Sequence, residues 1–458
     1  MNFGHIKNIH FVWIGGSGMS GLAEILASVG FTVSGCDAAA SQTTRRVAAA
    51  GIPVALGHSA SHPAGADLVV ISSAVKKDHP ELEEARRLRI PVIRRAEMLG
   101  EITRLKRGVG VAGTHGKTTT SAMIATVLAE AGLDPTLIVG GVLRNYATNA
   151  RFGKGEWLVV EADEYDRSFL TLHPEIAVVT NIEADHLDIY SGIEEIRTTF
   201  AEFASRVPFY GTVVACSDDA NVVALLDTLA KRQIRYGLGE GAELRAVDVA
   251  FEERGSRFAV TRAGARIGEI SLQVPGDHNV RNALAAIGVA LELDLPFETI
   301  ATGLERFTGV ERRFQLLGTF RGALVIDDYA HHPTEVKATL DAARRGYRGR
   351  RIIALFQPHL YSRTRDFQEE FAEALAAADI AFVAPIYPAR EQPIEGVSSD
   401  LITDAAARRG FRNVRKLEGD LALVTDAVRA ELQENDLFVT MGAGNVHEVG
   451  ERLVGEAA

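Results

Sequence analysis

Twice in this chain an apolar strand candidate runs directly into a glycine-rich loop and then into a helical pattern. The first instance is residues 9–14, followed by Gly15, Gly16, Ser17, Gly18, Met19, Ser20 and Gly21 and by the apolar spacing Leu22, Ile25, Leu26. The second is residues 108–112, followed by Gly113, Thr114, His115, Gly116, Lys117, Thr118 and Thr119 and by a helical stretch over 121–131. Glycine lets a backbone turn sharply and approach a ligand closely, and the helix behind it offers unpaired N–H groups at the positive end of its dipole. Strand–loop–helix units of this kind belong to parallel sheets with helices on their faces, so the chain is predicted to be α/β.

The alternation continues. Strands are expected at 31–35, 68–71, 91–93, 158–161, 176–181 and 212–216, with helices at 81–88 and 193–204. Short alternating segments such as 257–261 and 269–274 predict a small antiparallel addition before a helix over 278–291. Further strands are expected at 323–327, 351–356, 380–384 and 436–440, separated by helices over 335–344 and 366–377. At 458 residues this exceeds one core, and the pattern predicts three α/β units, 1–106, 107–318 and 319–458.

Composition excludes several classes. Acidic residues outnumber basic ones, 60 against 49, which argues against a nucleic-acid or anionic-membrane surface, since both reward clustered Lys and Arg. Two cysteines cannot make a disulfide framework. No run of eighteen apolar residues occurs, and the N-terminal apolar stretch opens into a glycine loop instead of a cleavage site, so a cytoplasmic protein is expected.

The chemistry-bearing residues cluster at predicted strand ends. Lys117 can reach the outer phosphates of a nucleotide and Thr118 can ligate Mg²⁺, although Val111 stands where the common phosphate loop has glycine. Gly15 to Gly21, with Asp37 about twenty residues on, suits a second nucleotide's diphosphate, with a nicotinamide cofactor and a structural turn as the alternatives. Glu161, Asp163 and Glu164 close one strand, and Glu183, Asp185, His186 and Asp188 follow another; beside a phosphate loop these suit a cation held to phosphate oxygens. Asn279 and Asn282 open a helix, as a cap or as a pair of amides for an adenine edge. Arg312, Arg313, Asp327, Asp328, His331 and His332 lie around one later strand end and His359, Arg363 and Arg365 around the next, a pattern that suits a carboxylate or phosphate clamp.

Gly-Thr-His-Gly-Lys-Thr-Thr, Glu-Ala-Asp-Glu, Asp-His-Leu-Asp, His-Asn-Val-Arg-Asn, Arg-Arg-Phe and Asp-Asp-Tyr-Ala-His-His-Pro occur in that order over essentially the whole chain. This series resembles the Mur ligases of bacterial cell-wall synthesis. The segments GGSGMSG, FQPHLYSRT and MGAGN point within that family to the branch that adds L-alanine to UDP-N-acetylmuramate. The resemblance implies a Rossmann-like N-terminal domain for the UDP-sugar, a central P-loop-type ATPase domain and a Rossmann-like C-terminal domain that receives the amino acid. It implies ATP and Mg²⁺, and ligation through an acyl-phosphate by a monomer or homodimer.

By motif position, Gly15, Gly16, Ser17, Gly18, Met19, Ser20, Asp37 and Ser73 would hold the UDP-sugar. Gly113 to Thr119, Asn279 and Asn282 would hold ATP, completed by Arg313, Asp328 and His331. Thr118, Glu161 and His186 would ligate Mg²⁺, His359 and Arg363 would meet the amino acid, and Lys117, His186 and Arg363 would serve catalysis. The chain lacks the lysine that some relatives carry in the helix after Asp-His, and has Leu360 where the pattern of this branch carries arginine. A tripeptide-recycling ligase of the same family, a folate polyglutamate ligase, a nicotinamide dehydrogenase and a non-catalytic nucleotide-binding regulator are the alternatives.

Overall fold

The computed structural model describes residues 3–457, apart from 73, 105, 147, 187, 188 and 390. Five strands form the first sheet: β1 (Asn8–Val12), β2 (Thr32–Asp37), β3 (Val54–Leu56), β4 (Leu68–Ile71) and β5 (Val92–Arg94). Their order is β3-β2-β1-β4-β5 and every pairing is parallel. β1 and β4 read as nearly unbroken apolar runs because a central parallel strand is covered on both faces. The strand expected over 9–14 stops at Val12, where Trp13 turns the chain at φ 65° and its carbonyl accepts the Gly16 N–H. The chain then enters the helix Ser17–Ser28.

The second sheet holds β6 (Arg107–Ala112), β7 (Thr136–Leu143), β8 (Thr148–Arg151), β9 (Trp157–Glu161), β10 (Ile176–Val179), β11 (Thr212–Cys216), β12 (Arg232–Gly237), β13 (Leu244–Glu252), β14 (Gly255–Arg262) and β15 (Ala265–Leu272). It runs β15-β14-β13-β12-β11-β10-β6-β9-β7-β8. β6 lies between β9 and β10, parallel to both, so the loop after β6 emerges beside the ends of the strands that carry the acidic motifs. β14 joins its neighbours through tight two-residue turns, which only antiparallel strands permit, as expected for this stretch. The β7–β8 hairpin is antiparallel with an irregular register and has no clean period-2 pattern in sequence.

The third sheet comprises β16 (Gln315–Phe320), β17 (Ala323–Asp328), β18 (Ile352–Phe356), β19 (Ile380–Val383), β20 (Val414–Lys416) and β21 (Leu437–Met441), in the order β16-β17-β21-β18-β19-β20. Only β16 is antiparallel to its neighbour. Alternate residues feed two cores: Ile326, Ala354, Phe356 and Val439 on one face, Val325, Ile353, Leu355 and Phe438 on the other. The helix expected over 366–377 runs Gln368–Leu375, and a separate short helix, Tyr361–Asp366, which the pattern did not predict, precedes it. Phe367 separates the two at φ −121°, and its ring packs 5.1 Å from that of His332.

The chain divides into two compact units. One comprises Met1–Ala246, Val260–Gly268 and Arg281–Leu304; the other comprises Val247–Ala259, Glu269–Val280 and Glu305–Ala458. Within the first, a continuous apolar core extends from Ile9 and Phe11 to Phe200, Phe203 and Leu226. Among the described residues no helix is long and apolar enough to cross a membrane.

Candidate active site

In the first unit, β6 ends at Ala112 and the loop passes through Gly113 (φ 144°) and Gly116 (φ 84°) into the helix Lys117–Glu130. A Cβ on Gly113 would lie 1.8 Å from Thr180 Oγ1, and one on Gly116 would lie 2.7 Å from Asn282 Oδ1. Both positions therefore favour glycine by backbone angle, and Gly113 by space as well. The end of β10 fixes the loop between them. His115 N–H donates to Asn181 Oδ1 at 2.8 Å, while its carbonyl accepts from Asn181 Nδ2 at 3.0 Å and Thr180 Oγ1 at 2.6 Å. The result is a rigid turn that leaves the first N–H groups of a buried helix facing outward, an anion site by construction.

Lys117 Nζ donates to the Gly113 carbonyl at 2.6 Å and to both oxygens of Glu164, at 2.9 and 2.7 Å. Burial opposes its charge, but Glu164, Asp163 and Glu161 outweigh that and hold the ammonium well above its ordinary range. Burial likewise pushes the Glu164 carboxyl up to about 7, against the pull of Lys117. The surrounding carboxylates thus keep the lysine charged, while burial, helped by Asp163, raises the acid beside it.

Thr118 Oγ1 donates to Glu161 Oε1 and Oε2 at 3.1 and 2.9 Å, and Glu161 Oε2 also accepts the Gly140 N–H at 2.7 Å. A hydroxyl beside a carboxylate is a hard oxygen pair of the kind Mg²⁺ prefers. His186, strained at φ 53°, sits with Nε2 3.8 Å from Glu164 Oε1 and 3.9 Å from Asp185 Oδ2, and its ring meets Tyr165 edge-on at 5.2 Å. The structure thus brings Lys117, Thr118, Glu161 and His186 to one place. Glu164 stood in the acidic motif without an assigned role, because only the fold shows which of its carboxylates faces the lysine. Asn282 Oδ1 accepts from Thr120 Oγ1 at 3.1 Å. Asn279 does not hold its amide free: Nδ2 donates to the Pro275 carbonyl at 2.7 Å, the link back to the preceding turn that a buried residue at a helix start favours.

At the first glycine loop, Gly15 N–H donates to Asp37 Oδ2 at 2.8 Å, and a Cβ on Gly15 would lie 2.7 Å from that oxygen. Asp37 thereby ties β2 to the turn. Met19 and Ser20 lie on the buried face of the helix Ser17–Ser28, and Ser20 Oγ accepts from Arg46 at 3.2 Å. Arg95 places a guanidinium nitrogen 2.9 Å from where a Cβ on Gly18 would stand. Neither arginine had a signal in sequence, since each lies in a short helix that carries no recognisable motif. Ser73 lies outside the described residues, as do Leu187 and Asp188 of the Asp-His motif.

In the second unit, Arg312 and Phe314 take φ values of 58° and 48°, a strained turn that aims Arg312 inward. Its guanidinium donates to Asp327 at 3.1 Å and to the carbonyls of Gly442 and Gly444 at 2.7 and 3.2 Å. Arg312 and Arg313 lie 4.9 and 5.1 Å from the Tyr329 ring, and Arg313 is 3.7 Å from Glu335. Asp328 accepts the N–H groups of Phe314 and Ala330 at 2.7 and 2.8 Å; burial nevertheless pushes its carboxyl up to about 6. His331 Nδ1 contacts the Tyr329 carbonyl at 3.0 Å, and its ring is edge-on to His359 at 5.9 Å. His359 stacks on Tyr387, held by the Leu360 N–H to Tyr387 carbonyl bond at 3.0 Å. Leu360, at φ 72°, starts the short helix that carries the buried Arg363.

Family models match this chain in three consecutive segments: Mur ligase family, catalytic domain, over residues 8–107; Mur ligase middle domain over 111–290; and Mur ligase, glutamate ligase domain, over 312–444. A UDP-N-acetylmuramate–L-alanine ligase of Geobacter sp. (strain M21) is 51% identical over 452 residues, covering 99% of this chain and 98% of the relative. The chain belongs to the Mur ligase family. The fold of this Mur ligase matches that of the UDP-N-acetylmuramate–alanine ligase of Thermotoga maritima with a TM-score of 0.83, at 30% identity over 99% of both chains. A murein peptide ligase of Psychrobacter arcticus is also similar, with a TM-score of 0.71 and 25% identity over 98% of each chain.

Proposed function

We propose that this Mur ligase joins L-alanine to the lactyl carboxylate of UDP-N-acetylmuramate, with ATP converted to ADP and phosphate. The observation that carries the reading is the buried Lys117 ammonium at a helix N-terminus beside the Thr118–Glu161 pair. Support also comes from relatives of that name that match over the whole length. A lactyl carboxylate oxygen attacks the γ-phosphorus of ATP and the bond to ADP breaks. The amine of L-alanine then attacks the acyl carbon, the bond to phosphate breaks, and the amine gives up its proton. The first step brings two anions together, so fixed positive charge decides its rate.

In this scheme Gly113, Thr114, His115, Gly116, Lys117, Thr118 and Thr119 hold the phosphates, and Lys117 moves its charge from Glu164 to the transferred group. Thr118, Glu161 and His186 would hold Mg²⁺, which when bound neutralises phosphate charge. Asn279 and Asn282 contact adenine, Asn279 with one donor already given to Pro275. Arg313, Asp328 and His331 complete the ATP contacts, and His359 and Arg363 receive L-alanine, Arg363 pairing with its carboxylate. Gly15, Gly16, Ser17, Gly18, Met19, Ser20, Asp37 and Ser73 take the UDP-sugar. Residues 1–106, 107–318 and 319–458 are the corresponding UDP-sugar, ATP and amino-acid domains of a cytoplasmic monomer or homodimer.

Lys117→Ala tests the scheme. Phosphate release that depends on both UDP-N-acetylmuramate and L-alanine should fall by about a thousandfold, while the UDP-sugar still binds. Release that persists near the wild-type rate would remove Lys117 from the chemistry and the proposal with it.

A further inference from the structure

Away from both glycine loops' helices, the first sheet buries a cluster of metal-binding side chains that the ligation chemistry does not use. Glu81, fully buried in the first turn of the helix Pro80–Arg87, is its centre. His10 Nε2 from β1 lies 3.1 Å from Glu81 Oε2, and His62 Nδ1 lies 3.0 Å from Oε1. Cys36 Sγ from β2 lies 3.1 Å from both oxygens. One ligand atom from each of these four residues falls within 4.8 Å of all the others. His58 Nδ1 stands at the margin, 3.3 Å from Cys36 Sγ and 3.2 Å from Glu81 Oε1, and its ring meets that of His79 edge-on at 4.6 Å.

We propose that His10, Cys36, His62 and Glu81 form a zinc site that staples β1, β2, the loop after β3 and the helix Pro80–Arg87. The donor set is two imidazoles, one thiolate and one carboxylate, which selects zinc over the hard cation of a phosphate site. Ligands at about 2.0–2.3 Å in a tetrahedron stand roughly 3.3–3.6 Å apart. The three contacts to Glu81, at 3.0–3.1 Å, therefore need to open by only a few tenths of an ångström, and the remaining spacings already lie within 4.8 Å. Thiolate and carboxylate together cancel the ion's charge, so a neutral site replaces a crowd of proton donors around one buried carboxylate. The other nitrogen of His10, Nδ1, is 2.9 Å from Ser34 Oγ, the kind of outer contact that orients a ligating imidazole. Among the described residues, His58 Nε2 and both ring nitrogens of His79 are buried without a hydrogen-bond partner, so hydrogen bonding alone does not satisfy this pocket. Zinc binding would expel the thiol proton, and the ligating ring nitrogens would exchange their contacts with Glu81 for the metal.

The test uses the full-length chain without an affinity tag, in excess Mg²⁺ so that hard-oxygen sites are filled. Elemental analysis should find about one zinc per chain. Cys36→Ser, close to isosteric, and His62→Asn, on a partly exposed loop, should each weaken zinc binding roughly tenfold or more. Cobalt replacing zinc should show a thiolate-to-metal charge-transfer band that Cys36→Ser abolishes. Zinc content no higher than in Cys36→Ser and His62→Asn, or a cobalt spectrum without the thiolate band, would show a hydrogen-bonded network only and overturn the proposal.

Discussion

Asp328 shows what burial does to a single carboxylate. Two backbone N–H groups and the nearby Arg313 favour its charged form, but burial outweighs them and lifts its pKa from 3.8 to about 6. Between about pH 4 and pH 6 the folded chain therefore holds a proton that the unfolded chain has released, so stability falls as pH rises through that window. The shift corresponds to roughly 3 kcal/mol at full effect. Asp328→Asn has no such titration. Measured by denaturant unfolding without ligands, the stability of the wild type relative to Asp328→Asn should drop by about that amount between pH 4 and pH 6.5; a flat difference would contradict the assignment. At this scale sequence was informative where a motif fixes a position, as for Lys117 and Thr118 at the loop after β6. It was silent on Glu164, whose partner is settled by packing of β9 against β6, and on Arg46 and Arg95, whose positions at the first glycine loop arise only in the folded sheet. It also left open whether Asn279 caps or reads, and its bond to Pro275 now occupies one donor.

At the scale of elements, the glycine loop after β6 combines two constraints that can be separated. Gly113 has both a positive φ and a neighbour, Thr180, inside the space of a side chain. Gly51 has φ 86° with nothing near it. Gly51→Ala should cost about 1 kcal/mol from backbone strain alone. Gly113→Ala adds a clash at a rigid strand end and should lower stability by roughly 3 kcal/mol or more. Equal losses in thermal unfolding of the two variants would mean that the loop relaxes, contrary to the tight network around His115. The elements best read from sequence were the buried parallel strands: β4 and β11 fall where their apolar runs place them. Those that escaped were governed by context. The β7–β8 hairpin lacks a period-2 signal, and the break at Phe367 comes from an aromatic packing contact that helical periodicity does not encode.

At the scale of the whole molecule, three sheets follow one another in sequence, the first wholly parallel and the third parallel except for its antiparallel edge strand β16. Both β1 and β6 feed a glycine loop into a helix, and both sit inside their sheets with neighbours on each side. That repetition was visible in the amino-acid order because both loops need glycine for physical reasons. Neither sheet topology nor the strand order of the ten-stranded sheet could be read in advance, since pairing across long sequence separations leaves no local pattern. The choice of amino acid is the sharpest consequence. Phosphate release should be measured with ATP, Mg²⁺ and UDP-N-acetylmuramate, offering L-alanine, glycine, L-serine or the murein tripeptide in turn. Turnover should be fastest with L-alanine and negligible with the tripeptide; turnover with the tripeptide but not with L-alanine would contradict the proposed function.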